Sequence, residues 1–166
     1  LSHFSKASSP GFDPDIDFYI KPKLNVNWWT DEIDQVIISE TGKTIDQIKN
    51  LNYSNLEAGE LIQKSILVIG FNSTVILESI AMGQATIVPN FGEVNKYPKN
   101  VYFSKYKNIL NLSNNEEKFE IDIINAINDN SKYKIKDNEL VSEMMQHYFG
   151  YDDGICAQRI TNLIKN

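Results

Sequence analysis

The residues of this sequence that are best suited to bind a ligand lie in one stretch, GFNSTVILESIAMGQATIVPNFGE, from Gly70 to Glu93. Within it, Asn72, Ser73 and Thr74 stand where an apolar segment meets the first turn of a predicted helix. A helix N-terminus carries unpaired N–H groups and a partial positive charge, so it attracts anions, phosphate above all. These three residues, after the tight turn that Gly70 allows, are predicted to bind a phosphate group.

One carboxylate, Glu78, interrupts this otherwise apolar helix, which is predicted to span Thr74 to Met82. Because Glu78 follows Thr74 by four residues, their side chains share one helical stripe. A carboxylate one turn below a phosphate is well placed to accept hydrogen bonds from a ribose diol. The alternative is structural, since Ser, Thr and Asn are the commonest N-caps and an isolated Glu is usually solvated. The combination favours the sugar-phosphate part of a nucleotide.

Polar or charged residues follow two further predicted strands, and ligands of open parallel sheets bind beyond the carboxyl ends of strands. We therefore expect these residues to meet at the same edge as the predicted phosphate site. They are Lys21 and Lys23 after the first strand, and Asn90, Gly92 and Glu93 after the strand that ends at Pro89. The two lysines would neutralise phosphate.

The whole sequence predicts an α/β fold, because strand and helix patterns alternate at the spacing of βαβ units. We expect a Rossmann-like parallel sheet of about five strands with helices on both faces, and C-terminal helices that pack back on it. The predicted strands are Ile16–Lys21, Ile48–Leu51, Ser65–Gly70, Ala85–Pro89 and Ile109–Leu112. The strand Ser65–Gly70 is expected to be covered on both faces, because its apolar character is continuous.

The remaining predicted elements are helices, and residues 1–15 are predicted to be a leading loop before one domain, 16–166. Two capping boxes, beginning at Ser54 and Ser113, are expected to open helices that run to Lys64 and Ile127. The other predicted helices are Asn27–Glu40 with a stop at Gly42, Thr74–Met82, Asn138–Tyr148 and Ile155–Ile164.

Composition excludes several classes of protein. The net charge of -6 argues against nucleic acid or an anionic membrane as the main partner, because both require a basic face. The single cysteine, Cys156, and two distant histidines cannot form a disulfide within the chain or a Cys/His zinc cluster. We expect a cytoplasmic protein that uses no metal, and a chain that is a piece of a longer protein.

Gly70–Glu93 resembles the C-terminal, donor-binding half of GT-B glycosyltransferases that build bacterial capsules and surface carbohydrates. That pattern begins with a strand, which is followed by NST or SST and then by a helix that contains a Glu. A Gly comes next, and the pattern closes with a strand that ends in Pro. The segment FYIKPK is similar to the strand ending in Lys-Pro-His-Pro of such enzymes, and YDDGICAQRITNLI is similar to their usual close. The likeness spans about Phe18 to Asn166. Lys23 stands where the family has His.

The resemblance implies transfer of a sugar from a nucleotide-activated donor, with no metal at the donor phosphates and no other cofactor. By position, Ser73 and Thr74 would hold phosphate, and Glu78 would hold the ribose. Asn90, Gly92 and Glu93 would face the donor sugar or base. The glycan acceptor would bind a missing N-terminal domain, where the catalytic base usually lies, so no catalytic residue is assigned. Peripheral association with the inner face of the membrane is a further expectation.

Three alternatives remain open on the sequence. A sugar-nucleotide epimerase of similar architecture would require additional acid–base carboxylates at the cleft. A non-catalytic nucleotide- or sugar-binding module, or a degenerate GT-B half, is favoured slightly by the loss of the family His at Lys23. A glycerol-phosphate or ribitol-phosphate polymerase would be expected to carry additional His and Arg residues, whereas this chain has one Arg, Arg159.

Overall fold

The fold is α/β, as the sequence predicts. The computed structural model describes residues 16–22, 27–96 and 103–150. The chain divides into two compact units, Leu1–Leu61 and Ile62–Asn166. The predicted leading loop 1–15 and the predicted helix Ile155–Ile164 lie outside the described residues. The single domain 16–166 stays a prediction.

The first unit contains a parallel pair of strands, β1 (Phe18–Ile20) and β2 (Leu51–Tyr53). Helix α1 (Asn27–Thr41) joins them, and it ends at Gly42, whose φ of +69° suits glycine. The hydroxyl of Tyr53 donates to Oδ1 of Asp34 at 2.7 Å, which ties β2 to α1. Burial and then this hydrogen bond raise the pKa of Tyr53.

The strand predicted at Ile48–Leu51 is wrong in position, because β2 begins only at Leu51. A short 3-10 helix, Ile45–Gln47, comes first. A turn follows in which the N–H of Leu51 donates to the carbonyl of Ile48 and Asn50 adopts a φ of +65°. That left-handed residue is incompatible with an extended chain, and it delays the strand.

The second unit contains three parallel strands, in the order β3-β4-β5. They are β3 (Val68–Ile69), β4 (Thr86–Pro89) and β5 (Leu112–Ser113). Within the described ranges, the strands therefore form two sheets, of two and three strands, where the sequence predicted one sheet of about five. β3 lies at the edge of its sheet, and Ile69 is 41% exposed. The prediction that this strand is covered on both faces is wrong there.

Four longer helices accompany the three-stranded sheet, and their bounds agree with the predictions to within a few residues. Helix α2 (Ala58–Lys64) precedes β3, and α3 (Thr74–Ala81) connects β3 to β4. A single turn, α4 (Glu93–Lys96), follows β4, and a short 3-10 helix, Ser104–Tyr106, precedes β5. Helices α5 (Glu116–Asn128) and α6 (Asn138–Phe149) follow β5.

Helices cover both faces of the three-stranded sheet. On one face, Val88 of β4 belongs to a core with residues of α3 and α6. On the other, Ile87 packs against Ile123 and Ala126 of α5. Because consecutive residues of a strand point to opposite faces, β4 alone contributes to both cores. Between α3 and β4, the buried hydroxyls of Ser79 and Thr86 lie 2.7 Å apart and are hydrogen-bonded.

The structure replaces both predicted capping boxes with other arrangements. Ser54 Oγ accepts from the N–H of Leu56, and α2 begins only at Ala58. At α5 the cap is Asn115, whose Oδ1 accepts from the N–H of Lys118 at 2.7 Å. Ser113 does not cap this helix, because it is buried and donates to Asp122 instead.

Replacing Asn115 with alanine is expected to lower the free energy of unfolding by about 1 kcal/mol, because the first turn of α5 loses its side-chain acceptor. Urea unfolding followed by circular dichroism measures the change. Asn138→Ala is the matched control, since Asn138 is exposed at a helix N-terminus where Asp137 is the cap. Equal effects of the two substitutions would contradict the assignment of Asn115 as the cap.

Candidate functional site

The candidate site is the edge of the three-stranded sheet at which its parallel strands end. The register of the strands pairs Ile69 with Ile87 and Pro89 with Ser113. The three segments that leave β3, β4 and β5 therefore emerge at the same edge. Open α/β sheets bind their ligands at this edge.

The segment after β3 turns sharply into α3. Asn72 has a φ of +46°, a left-handed conformation that asparagine tolerates better than most residues. Ser73 is the N-cap of α3, and its Oγ accepts from the N–H of Val75 at 3.4 Å. Both residues thus have structural roles at the position where phosphate binding is predicted. The cap bond is long, so the N–H of Val75 can exchange it for an anion. The N–H of Ile76 donates to the carbonyl of Ser73 at 3.1 Å.

Gly70 has a different role from the one predicted. A Cβ atom at this position would lie 2.6 Å from Cγ1 of Ile76, and Ile76 is fully buried in α3. The φ of Gly70 is not in the left-handed region. The glycine therefore serves the close approach of helix α3 to the end of β3.

Thr74 and Glu78 share one stripe of α3, as their spacing predicts. Thr74 is exposed and Glu78 is half-buried. The buried residues of the helix, Ile76, Leu77, Ser79 and Ile80, lie on the other side of it. The stripe therefore faces away from the sheet, on the outer surface of α3. The predicted contact of Glu78 with a ribose stays a prediction.

The segment after β4 brings Asn90 and Gly92 to the same edge. Asn90 Nδ2 donates to Oδ1 of Asn114 at 2.7 Å, and the N–H of Asn90 donates to the carbonyl of Ser113. Gly92 has a φ of +66°, with open space around the position of a Cβ. Glu93 begins helix α4, and its predicted contact with the donor stays a prediction.

Sequence reasoning missed the contribution of β5 to this edge. Asn114 and Asn115 follow β5 directly, and Asn114 is held by the side chain of Asn90. The ring of Phe91 packs edge-on against that of Phe119 in α5, with centroids 5.7 Å apart. The polar run Ser113–Glu116 directly after a predicted strand indicates a third polar segment at this edge. The same residues also match the Ser-x-x-Glu pattern of a helix cap, which hides this second role.

A buried polar network supports the end of β5. Asp122 of α5 is 8% exposed, and it accepts hydrogen bonds from Ser113 at 2.6 Å, from Tyr133 at 3.1 Å and from the Lys118 ammonium. Burial acts to raise the pKa of Asp122, but the bonds from Lys118, Ser113 and Tyr133 outweigh it and hold the pKa below its usual value. Burial and the nearby carboxylate raise the pKa of Tyr133.

The two predicted phosphate-binding lysines both come after β1 in the sequence. Lys21 follows β1, which pairs with β2 in the other sheet, and Lys23 lies outside the described residues. The segments that meet at this edge are therefore those after β3, β4 and β5. The sequence predicted the first two of them. The role of the lysines stays a prediction.

In the described ranges there is no group of three or more His, Cys, Asp or Glu side chains that could hold a metal ion. No helix of that part of the chain is both long enough and apolar enough to cross a membrane.

Comparisons of the chain with protein-family models, with curated proteins and with solved structures gave no match. The class of protein therefore rests on the fold and on the edge of the sheet. They define an α/β protein with a parallel three-stranded sheet whose polar loops converge at its carboxyl edge.

Proposed function

We propose that this chain is the donor-binding, C-terminal half of a GT-B glycosyltransferase, with a Rossmann-like arrangement of its strands. It would bind a nucleotide-activated sugar for transfer to a bacterial surface glycan. The enzyme would act in the cytoplasm on an acceptor held by a further domain. The isolated chain is expected to bind the donor without transferring the sugar.

The observation that carries this proposal is the construction of α3. The helix begins at the carboxyl edge of a parallel sheet behind a serine cap, and its first turn contains no acidic residue. Its N–H groups and partial positive charge suit a phosphate group. Glu78, about one turn further along the same helix, would add an acceptor for the hydroxyls of a ribose next to that phosphate.

The proposed roles follow from these positions. Ser73, Thr74 and the N–H of Val75 would bind the donor phosphates. Glu78 would accept hydrogen bonds from the ribose hydroxyls. The N-terminus of α3 would stabilise the negative charge that develops on the departing nucleotide, which is how fixed dipoles accelerate group transfer. A catalytic base is left to the acceptor-binding domain.

Nucleotide binding tests the proposal directly. The melting temperature of the full 166-residue chain is measured with CMP, CDP, UDP and GDP, and we expect one of them to raise it. A ligand at 100 times its dissociation constant adds about 2.7 kcal/mol of stability. Glu78→Gln is expected to weaken that nucleotide about tenfold to a hundredfold, because hydrogen bonds to a charged group contribute about 1.5–3 kcal/mol.

Glu139→Gln is the matched control for this experiment. Glu139 is exposed in the first turn of α6, and its substitution makes the same change of charge. We expect wild-type affinity from this variant. Absence of a shift with every nucleotide at millimolar concentration would overturn the proposal and leave Asn72 and Ser73 with structural roles alone. A shift that Glu78→Gln leaves intact would remove Glu78 from the site.

A further inference from the structure

Strand β3 is an edge strand whose sequence is typical of a strand inside a sheet. The segment SILVIGF, from Ser65 to Phe71, contains no charged residue and no proline, and such continuous apolar runs belong to the buried strands of parallel sheets. In the part of the chain that the structure describes, however, β3 pairs with β4 alone. The side chains of Ile66, Ile69 and Phe71 are 47%, 41% and 43% exposed. One side of β3 therefore lacks a neighbour.

The free side of β3 presents backbone groups that can pair with another strand. The N–H groups of Val68 and Gly70 donate to carbonyls on the side of β4, at 2.9 and 3.3 Å. Ile69 lies between these two residues, and successive residues of a strand direct their backbone groups to alternate sides. The N–H and carbonyl of Ile69 therefore point away from β4, and they have no partner among the described residues. Such an edge is a template for a further β-strand.

The β3 segment of a second copy fits this template. Two β3 strands related by a twofold axis run antiparallel, and with the axis beside Ile69 the two copies of this residue exchange both N–H···O bonds. In that register Phe71 lies opposite Leu67 of the partner subunit. Leu67 packs against the core of Ile87, Ile123 and Ala126, so the exposed ring of Phe71 extends an apolar surface that already exists.

Charge also favours contact between two copies at β3. The whole chain carries a net charge of -6, and net charge of one sign opposes the association of identical molecules. The segment SILVIGF is neutral, and the nearest charged residues in the sequence are Lys64 before it and Glu78 after it. Natural edge strands often carry a lysine or a proline that discourages pairing with other chains, and β3 has neither.

From these observations we infer that β3 forms the interface of a homodimer. The β3 strands of two copies pair antiparallel and join two three-stranded sheets into one sheet of six strands. Because each copy contributes the same surface, the interface closes at two copies and leaves no β3 edge free. The inference is independent of the proposed function, since it uses neither the helix N-terminus of α3 nor Glu78.

Sedimentation equilibrium of the full 166-residue chain tests the inference. We expect a monomer–dimer equilibrium across the micromolar range of protein concentration. Ile69→Lys is expected to weaken the dimer about a hundredfold or more, because each copy loses a buried isoleucine and two ammonium groups meet at the axis. Ile121→Lys is the matched control, since Ile121 is 49% exposed on α5. We expect this variant to dimerise as the wild type does.

Amide hydrogen exchange of the wild type identifies the strand without a substitution, and it decides the question if Ile69→Lys fails to fold. Exchange at Ile69 is expected to slow as the protein concentration rises, because its N–H becomes bonded to the second copy. Exchange at Gly70, whose N–H is already bonded within the sheet, is the reference and is expected to change less.

Several outcomes would overturn the inference. A chain that stays monomeric over the whole concentration range does so, and it leaves β3 to a strand of another polypeptide. A dimer that Ile69→Lys leaves intact, or that forms without slower exchange at Ile69, places the interface elsewhere. Growth beyond two copies contradicts a closed twofold interface. The nucleotide titration of the proposed function is read separately from all of these results.

Discussion

Replacing Asp122 with alanine is expected to lower the free energy of unfolding by about 3 kcal/mol. The carboxylate accepts from the hydroxyls of Ser113 and Tyr133, and Ser113 is fully buried. A buried hydroxyl that loses its acceptor costs about 1–3 kcal/mol. The loss at Ser113 and a smaller one at the half-buried Tyr133 together account for the expected change. The end of β5, which presents Asn114 to the site, loses its support at the same time.

Urea unfolding followed by circular dichroism measures this effect. Glu120→Ala is the matched control, because Glu120 is exposed on the same helix and surface substitutions usually change stability by less than about 0.5 kcal/mol. If Asp122→Ala changes the unfolding midpoint no more than Glu120→Ala does, the network contributes nothing measurable to stability.

The Asp122 network also predicts how stability depends on pH. Because the folded-state pKa of Asp122 lies below the usual value of an aspartate, the ionised carboxylate stabilises the folded state. That contribution is complete above about pH 4 to 5 and is lost as the pH falls through the folded-state pKa. The difference in stability between the wild type and Asp122→Asn is expected to narrow below about pH 4. A difference that stays constant from pH 6 to pH 3 would contradict this.

Replacing Gly70 with alanine is expected to lower the free energy of unfolding by about 2 kcal/mol. The new Cβ would lie 2.6 Å from Cγ1 of Ile76, so the fully buried isoleucine must move within a packed core. Overpacking of this kind costs about 1–3 kcal/mol. Because α3 also presents Ser73 and Glu78, the same substitution is expected to weaken nucleotide binding.

Three further variants isolate the steric cause. Gly59→Ala, in helix α2, places its Cβ in open space and is expected to be neutral or to stabilise by up to about 1 kcal/mol. Ile76→Ala removes the atom that the new Cβ would meet. The double variant Gly70→Ala/Ile76→Ala is therefore expected to be more stable than the sum of the single effects by about 1 kcal/mol or more. Strict additivity would show that contact with Ile76 is not the cause.

Local interactions made much of this fold predictable from the sequence. Local sequence patterns predicted α1, α3, α5 and α6 to within a few residues, α1 from its apolar spacing and α5 from a capping-box match. Gly42 ends its helix as expected, and the polar residues before α3 include its cap, Ser73. The stripe shared by Thr74 and Glu78 follows from helical spacing alone. These features depend on residues within one or two turns of each other, and the sequence displays such neighbours directly.

Tertiary contacts decided the remaining features. Ser113 matches a capping pattern, but its hydroxyl donates to the buried carboxylate of Asp122. Asn115 is the N-cap of α5 instead. Strand lengths and the division into sheets depend on which strands pair, and pairing joins residues far apart in sequence. For the same reason the sequence alone did not reveal the bond between Asn90 and Asn114. Their proximity arises only when β4 and β5 pair in register.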